Sequence, residues 1–299
     1  MPEHFTIVEV APGVHAAIAG TSGAAVSNAA IIDTGDKTLV VDTFQTPQAA
    51  AELRATAVDL TGRDAFLVVN SHWHDDHTYG NQAFADTPIV STRTTLELIV
   101  ANAPADLAVY EQEIDGYLTA QRQRLESEDP AVQAAARRAL STLGQVKEAI
   151  PGFRLTLPDV LIEGSLVIAG ETEVEIVTYG GGHTDSDVFV WVPDRSVLVT
   201  GDLSWNGLHP RSQDGHPTMW AEILERMLDL GPHVVINGHG DPSGPEVLAA
   251  LVPYFRAVAD GVEQVKGGAD PAEIPLPAGS EAWDGEVRLR TALKLLGAK

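Results

Sequence analysis

Apolar positions in the first quarter of the chain recur at two different spacings. Short apolar runs at residues 5–10, 14–19, 25–32 and 38–41 are separated by Pro12-Gly13, by Gly20 to Gly23 and by Gly35-Asp36, which predicts strands joined by tight turns. Their closeness in sequence predicts antiparallel hairpins in one sheet. From Pro47 the spacing changes. Leu53, Ala57 and Leu60 can share one face, so a helix is expected to open on Pro47 and to end at Gly62. The run Ala65-Phe66-Leu67-Val68-Val69 then predicts a strand over 66–69.

Beyond that strand, Asn81 to Ala85 reads as a short helix, Pro88-Ile89-Val90 as a brief strand and Thr94 to Ala101 as another helix, an alternation of α/β character. From about Pro104 to Ile150 the texture is helical. Leu107, Tyr110, Ile114, Tyr117 and Leu118 form one stripe, Ala131 to Val146 a second, and Asp129-Pro130 a break between them. This predicts a helical insertion over 104–150, either a cover for a functional cleft or the face of a homodimer. Strand texture returns at 159–162, 165–169, 172–178, 187–192 and 196–200, with turns at Glu163-Gly164 and Pro193-Asp194. Trp220 to Leu230, Glu246 to Val265 and Glu286 to Leu296 read as helices, the last within a C-terminal helical extension over 265–299, and Val234-Val235-Ile236 as a short strand. Two blocks of strands, each followed by helices, predict a pseudo-duplicated pair of sheets with helices outside, in one domain over 1–299.

Composition narrows the function. A chain of 299 residues with 44% hydrophobic residues can bury a substantial core. Its 42 acidic and 19 basic residues give a formal charge of -23, which opposes binding to nucleic acid and leaves small molecules as the expected partners. The absence of cysteine excludes disulfides, iron–sulfur clusters, thiol catalysis and thiolate metal ligands. Met1-Pro2-Glu3-His4-Phe5 lacks a basic region and an apolar run, and no stretch approaches ~18 consecutive apolar residues; a cytoplasmic protein with no membrane association is the expectation.

The chemistry is concentrated at Asn70-Ser71-His72-Trp73-His74-Asp75-Asp76-His77. His72 and His74 lie on one side of an extended segment, because side chains alternate with a period of two, and can share one ion. Asp76 and His77 are adjacent, point elsewhere and fit a second ion better. Such clustering has no packing advantage and places titratable groups where they would repel if charged. Three later segments end strands in glycine-rich turns: Gly180-Gly181-Gly182-His183-Thr184, Thr200-Gly201-Asp202 and Asn237-Gly238-His239-Gly240. Five imidazoles and two carboxylates suit a pair of Zn ions, and Mn or Fe fit the same donor types. His4, His15, His209, His216 and His233 read instead as surface or hydrogen-bonded residues.

The pattern His72-x-His74-x-Asp76-His77, followed by His183, Asp202 and His239, resembles the metallo-beta-lactamase superfamily over roughly residues 14–250. The resemblance implies an αββα sandwich with a dinuclear site at one edge. It implies His72, His74 and His183 on the first zinc, Asp76, His77 and His239 on the second, and Asp202 as the bridge. Residues 181–193 are also similar to the corresponding stretch of the subclass B1 beta-lactamases, but Asp202 stands where that subclass has a cysteine. Aspartate there is the habit of the wider hydrolases of the superfamily, among them glyoxalase II-like and lactonase-like branches.

The activity so implied is metal-dependent hydrolysis of a small-molecule carbonyl, an ester, lactone, thioester or beta-lactam, by a hydroxide shared between the two zinc ions. Asp76 would orient the nucleophile and receive a proton. Ser71 and Thr184 are candidates for hydrogen bonds to the ligands, and Trp73, Trp205, Asn206 and His209 for the pocket lining. If the insertion covers the cleft, Tyr110, Tyr117 and their acidic neighbours favour an uncharged or partly cationic substrate. An iron-dependent oxidoreductase of the same fold, a beta-lactamase proper and a non-catalytic metal-binding protein are the alternatives.

Overall fold

The apolar runs and intervening turns become two mixed sheets with helices in the computed structural model, which describes residues 2–20 and 23–299. Thr21 and Ser22, within the turn expected at Gly20 to Gly23, lie outside the described residues, as does Met1. The chain divides into two compact units, Met1–Glu9 with Gly13–Leu161 and Val10–Pro12 with Ile162–Lys299.

In the first unit β1 (Phe5–Ala11), β2 (Val14–Ala19), β3 (Ala29–Asp33), β4 (Thr38–Val41), β5 (Phe66–Val69), β6 (Ile89–Thr92) and β7 (Val160–Ile162) line up in that order. β2, β3 and β4 pair antiparallel, as the hairpin reading expects, whereas β4, β5 and β6 are parallel. The parallel step needs a crossover, and α1 (Pro47–Thr61) supplies it between β4 and β5. Thr46 caps α1 by accepting from Ala49 N, Pro47 occupies its first turn, and Ala49, Ala50, Leu53 and Ala57 form the buried stripe. Parallel pairing makes β4 and β5 end at the same edge of the sheet, and the histidine-rich segment begins where β5 stops.

Three expectations change here. The strand expected over 25–32 starts only at Ala29, because the carbonyls of Ala24 and Ala25 accept from Thr46 Oγ1 and Gln45 N instead of from a neighbouring strand. The short helix expected at Asn81 to Ala85 is a 3₁₀ turn over Tyr79–Phe84, following α2 (Asp75–Thr78). The helix expected to end at Ala101 runs through Pro104 as α3 (Arg93–Arg124). A proline there forfeits one backbone hydrogen bond at roughly 3 kcal/mol; burying Ile99 and Ala103 beside Tyr79, with Leu107 and Tyr110 packed against them, offsets that loss. α4 (Pro130–Ala149) starts at the expected break, capped by Asp129, whose carboxylate accepts from Ala131 N at 2.8 Å. Its Val146 packs with Ile114 and Leu118 of α3.

The second unit holds β8 (Ser165–Ile168), β9 (Val174–Gly180), β10 (Asp187–Val192), β11 (Val197–Val199) and β12 (Val234–Ile236), in the order β12-β11-β10-β9-β8. β11 and β12 are parallel and the other pairs antiparallel. It follows that β9, β11 and β12 all run the same way, so their C-terminal ends open on one edge. α5 (Pro217–Leu228), α6 (Glu246–Lys266) and α7 (Glu286–Gly297) bury their apolar faces in the same core as Phe189, Trp191 and Leu198. Trp220 of α5 stacks on Phe255 of α6 with ring centroids 3.8 Å apart. Among the described residues no helix is long and apolar enough to cross a membrane.

Candidate metal centre

At the sheet edge of the first unit, β4 delivers Asp42 and β5 delivers the segment from Asn70 to His77. Asp42 is buried and accepts from Ser71 N (2.7 Å), Ser71 Oγ (2.7 Å) and His77 Nδ1 (2.8 Å). That geometry places the proton of His77 on Nδ1 and turns Nε2 to the other side, where Asp76 Oδ2 lies 3.7 Å away. Ser71 Oγ is 2.9 Å from His72 Nδ1, and His72 Nε2 lies 3.0 Å from His74 Nδ1. The His72 ring is also 4.3 Å from the His77 ring, centroid to centroid. Asp42 sits at φ 62, a left-handed conformation that aspartate tolerates better than most residues but that still costs about 1 kcal/mol. Asn81 holds the neighbouring loop by accepting from Thr43 Oγ1 at 2.8 Å and from Asn70 Nδ2 at 3.0 Å.

A second network reaches this loop from the insertion. Tyr110 of α3 donates to Asp75 Oδ2 at 2.6 Å, and Gln45 Nε2 donates to the same oxygen at 2.9 Å. Burial first, and Asp75 next, push the Tyr110 phenol well above its ordinary range, so it remains a donor. Asp75 Oδ1 in turn accepts from Asp76 N at 3.0 Å, and Ser27 Oγ donates to Asp76 O.

In the second unit the three same-facing strands each contribute one candidate ligand: β9 leads to His183, β11 to Asp202 and β12 to His239. Asp202 Oδ2 is 3.3 Å from His183 Nε2, and Asp202 Oδ1 is 3.4 Å from His239 Nε2. Two ligands each about 2.0–2.2 Å from a shared ion at tetrahedral angles stand about 3.3–3.5 Å apart, so these spacings fit metal ligation. Gly238 makes room for the carboxylate: a Cβ there would stand 2.1 Å from Asp202 Oδ1. Asp187 pins the His183 turn, accepting from Gly182 N (2.7 Å), His183 N (2.8 Å), Thr184 N and Thr184 Oγ1 (2.9 Å). Burial pushes its carboxyl up to about 6, against the lowering effect of those donors.

The sequence-predicted neighbours occupy varied places. Ser71 bridges Asp42 and His72, as above. Thr184 Oγ1 serves Asp187 and Ser186 O, a local turn. Trp73 lies against the His74 ring at 4.4 Å and packs with Tyr79 and Ile99. The Trp205 ring lies on the His239 ring at 3.9 Å. Asn206 takes part through backbone, its N donating to His239 O at 3.0 Å, while its side chain donates to Asp241 O. His209 is fully buried with Nδ1 3.0 Å from Tyr254 Oη, which places it in the packing of the second unit. Asp42 and Asp187 were not singled out by sequence reasoning. Asp42 carries the same signal as Asp202, a carboxylate directly after an apolar strand; Asp187 opens a strand and carries none.

Comparison with known proteins fits the same residues into one lineage. The sequence profile of the metallo-beta-lactamase superfamily matches residues 22–239, a span that contains every candidate ligand named above. The chain belongs to the metallo-beta-lactamase superfamily. It is a metallo-beta-lactamase-like, metal-dependent hydrolase with a site built from histidine and aspartate. Among solved structures, it is similar to a metallo-beta-lactamase from Pontibacter korlensis (18% identity, 84% of this chain and 99% of that one, TM-score 0.61). It is similar also to one from Hirschia baltica (18% identity, 85% and 98%, TM-score 0.59) and to the DIM-1 metallo-beta-lactamase (17% identity, 85% and 97%, TM-score 0.60). At these identities the likeness is one of fold, the metallo-beta-lactamase α/β arrangement of two mixed sheets flanked by helices.

Proposed function

We propose that the chain is a dinuclear, zinc-dependent hydrolase of a small-molecule carbonyl compound, with one ion held by His72, His74, His183 and Asp202 and the second by Asp76, His77, His239 and the other oxygen of Asp202. The observation that carries this reading is the Asp202 carboxylate, which turns one oxygen toward His183 and the other toward His239 at nearly equal distances. A carboxylate so placed, with one oxygen available to each ion, suits a bridge between two ions. The donor set, imidazole and carboxylate without thiolate, suits zinc.

Bound ions would supply Lewis acidity, lowering the pKa of water and polarising a carbonyl oxygen. The chain's own groups do the remaining work. Asp42 and Ser71 fix the orientations of His77 and His72, so that both present Nε2. Asp76, held through its backbone by Ser27 and Asp75, keeps a carboxylate beside His77 that can orient a water and take up its proton. Esters, lactones, thioesters and beta-lactams all present the carbonyl this site would need.

The test is turnover by zinc-loaded protein across chromogenic members of those four classes, with the Asp76→Asn variant alongside. The expected result is hydrolysis of at least one class by the wild type and a fall in kcat on the order of a hundredfold or more in the variant. No turnover of any class by fully loaded wild-type protein would overturn the proposal.

A further inference from the structure

The C-terminal extension is tied by its backbone to the loop that follows Asp202. Leu208 and Asp284 form an isolated parallel bridge, His209 N donates to Asp284 O at 2.9 Å, and Asp284 N donates to Gly207 O at 3.1 Å. That loop begins at Trp205, the residue lying on the His239 ring. The first turn of α7 then carries Arg288 over the Trp205 indole, its Cζ 5.5 Å from the ring centroid. Gly285 seats the guanidinium, since a Cβ at that position would stand 2.0 Å from Arg288 Nη1.

Among the described residues nothing accepts a hydrogen bond from Arg288 Nη1, which is buried, and the same holds for Trp205 Nε1. A buried donor without an acceptor costs about 1–3 kcal/mol, and a charged one more. Burial first, and then the repulsion of Arg211, hold the Arg288 guanidinium below its ordinary value, while Asp284 and Asp202 act the other way. Two mutually repelling arginines stand together in a chain with only 19 basic residues against 42 acidic ones. Trp205 lies on the His239 ring, and Arg288 lies over Trp205 within range of the Asp202 charge, so an anionic oxygen group there would satisfy their unused N–H groups.

Taking the hydrolase reading as its basis, we propose that Arg288, with the indole N–H of Trp205, forms a subsite for an anionic oxygen group of the substrate, a carboxylate or a phosphate. The substrate class is then an anionic carbonyl compound. This differs from the uncharged or partly cationic substrate expected from Tyr110 and Tyr117, whose hydroxyls donate to Asp75 and, at 2.9 Å, to Glu113. Arg288 lies outside residues 22–239, so the family match does not supply it.

Two readouts on the zinc-loaded wild type, Arg288→Gln and Arg288→Lys test the subsite. The first compares mono(4-nitrophenyl) glutarate with 4-nitrophenyl butyrate. Relative to the butyrate, KM for the glutarate should rise on the order of tenfold or more in Arg288→Gln, with kcat within about threefold, and Arg288→Lys should recover part of the loss. The second is calorimetric titration with glutarate and, separately, inorganic phosphate. Binding of at least one should weaken on the order of tenfold in Arg288→Gln, and the tighter of the two identifies the chemistry. Equal KM shifts for both esters, or equal anion binding by wild type and Arg288→Gln, would overturn the subsite even where ester turnover upholds the hydrolase. If no ester is turned over while an anion binds the wild type and not Arg288→Gln, the subsite stands and the hydrolase reading falls.

Discussion

In the first unit a buried aspartate reaches the ring of a candidate metal ligand, whereas in the second a buried aspartate reaches the amides and a hydroxyl of the turn that carries one. Asp42 accepts from His77 Nδ1 as well as from Ser71, so it sets the orientation of a ligand directly. Asp187 accepts three consecutive amides and the Thr184 hydroxyl, and the His183 ring follows because its backbone is fixed. The two solutions match the local sequences. The first unit packs four candidate ligands into residues 72–77, where one carboxylate can serve several neighbours; the second draws single candidates from three strand ends, each needing its own turn. An aspartate is therefore a tuning group in one half and a structural clamp in the other.

The largest effect that sharpens this contrast is expected from Asp187→Ala. It strands the amides of Gly182, His183 and Thr184 in a buried turn, and stability should fall by about 3 kcal/mol or more in denaturant unfolding of metal-free protein. Asp42→Asn should be milder for the fold, about 1–2 kcal/mol, because asparagine keeps the shape and tolerates the left-handed backbone at that position. Its amide would oppose the His77 Nδ1 proton, so zinc affinity, measured by competition with a chromogenic chelator, should drop on the order of 10–100-fold. If Asp187→Ala weakened zinc more than it weakened the fold, or Asp42→Asn left zinc affinity untouched, the division between clamp and tuning group would be wrong.

The clusters of candidate ligands were legible in the sequence because their chemistry is legible: histidines and aspartates crowded after apolar strands, or aimed by glycine turns, have few packing reasons to be there. The α/β class and nearly every helix and strand were legible from apolar patterning, α1 from its helical spacing and β5, β10 and β12 from short continuous apolar runs. Pro104 was misread because a local rule yields when a helix face is buried on both sides of the break. Asp42, Asp187 and Arg288 were not legible as parts of the site. Their roles depend on contacts made at long range or through backbone groups: Asp42 meets Ser71 and His77, Asp187 meets amides without side-chain identity, and Arg288 meets Trp205 from the far end of the chain. Tyr110 illustrates the same limit, for its helical stripe announced packing and gave no sign of the bond to Asp75.

Under the proposed function, His72, His74, Asp76, His77, His183 and His239 hold a pair of ions that share Asp202. The most direct test of this sharing is the number of zinc ions retained per chain after equilibration and removal of excess metal, measured by elemental analysis for the wild type and for Asp202→Ala. The account predicts about two for the wild type and, because a bridging group serves both ions, less than about one for the variant. Retention of one ion or none by the wild type, or equal retention by the two proteins, would contradict it.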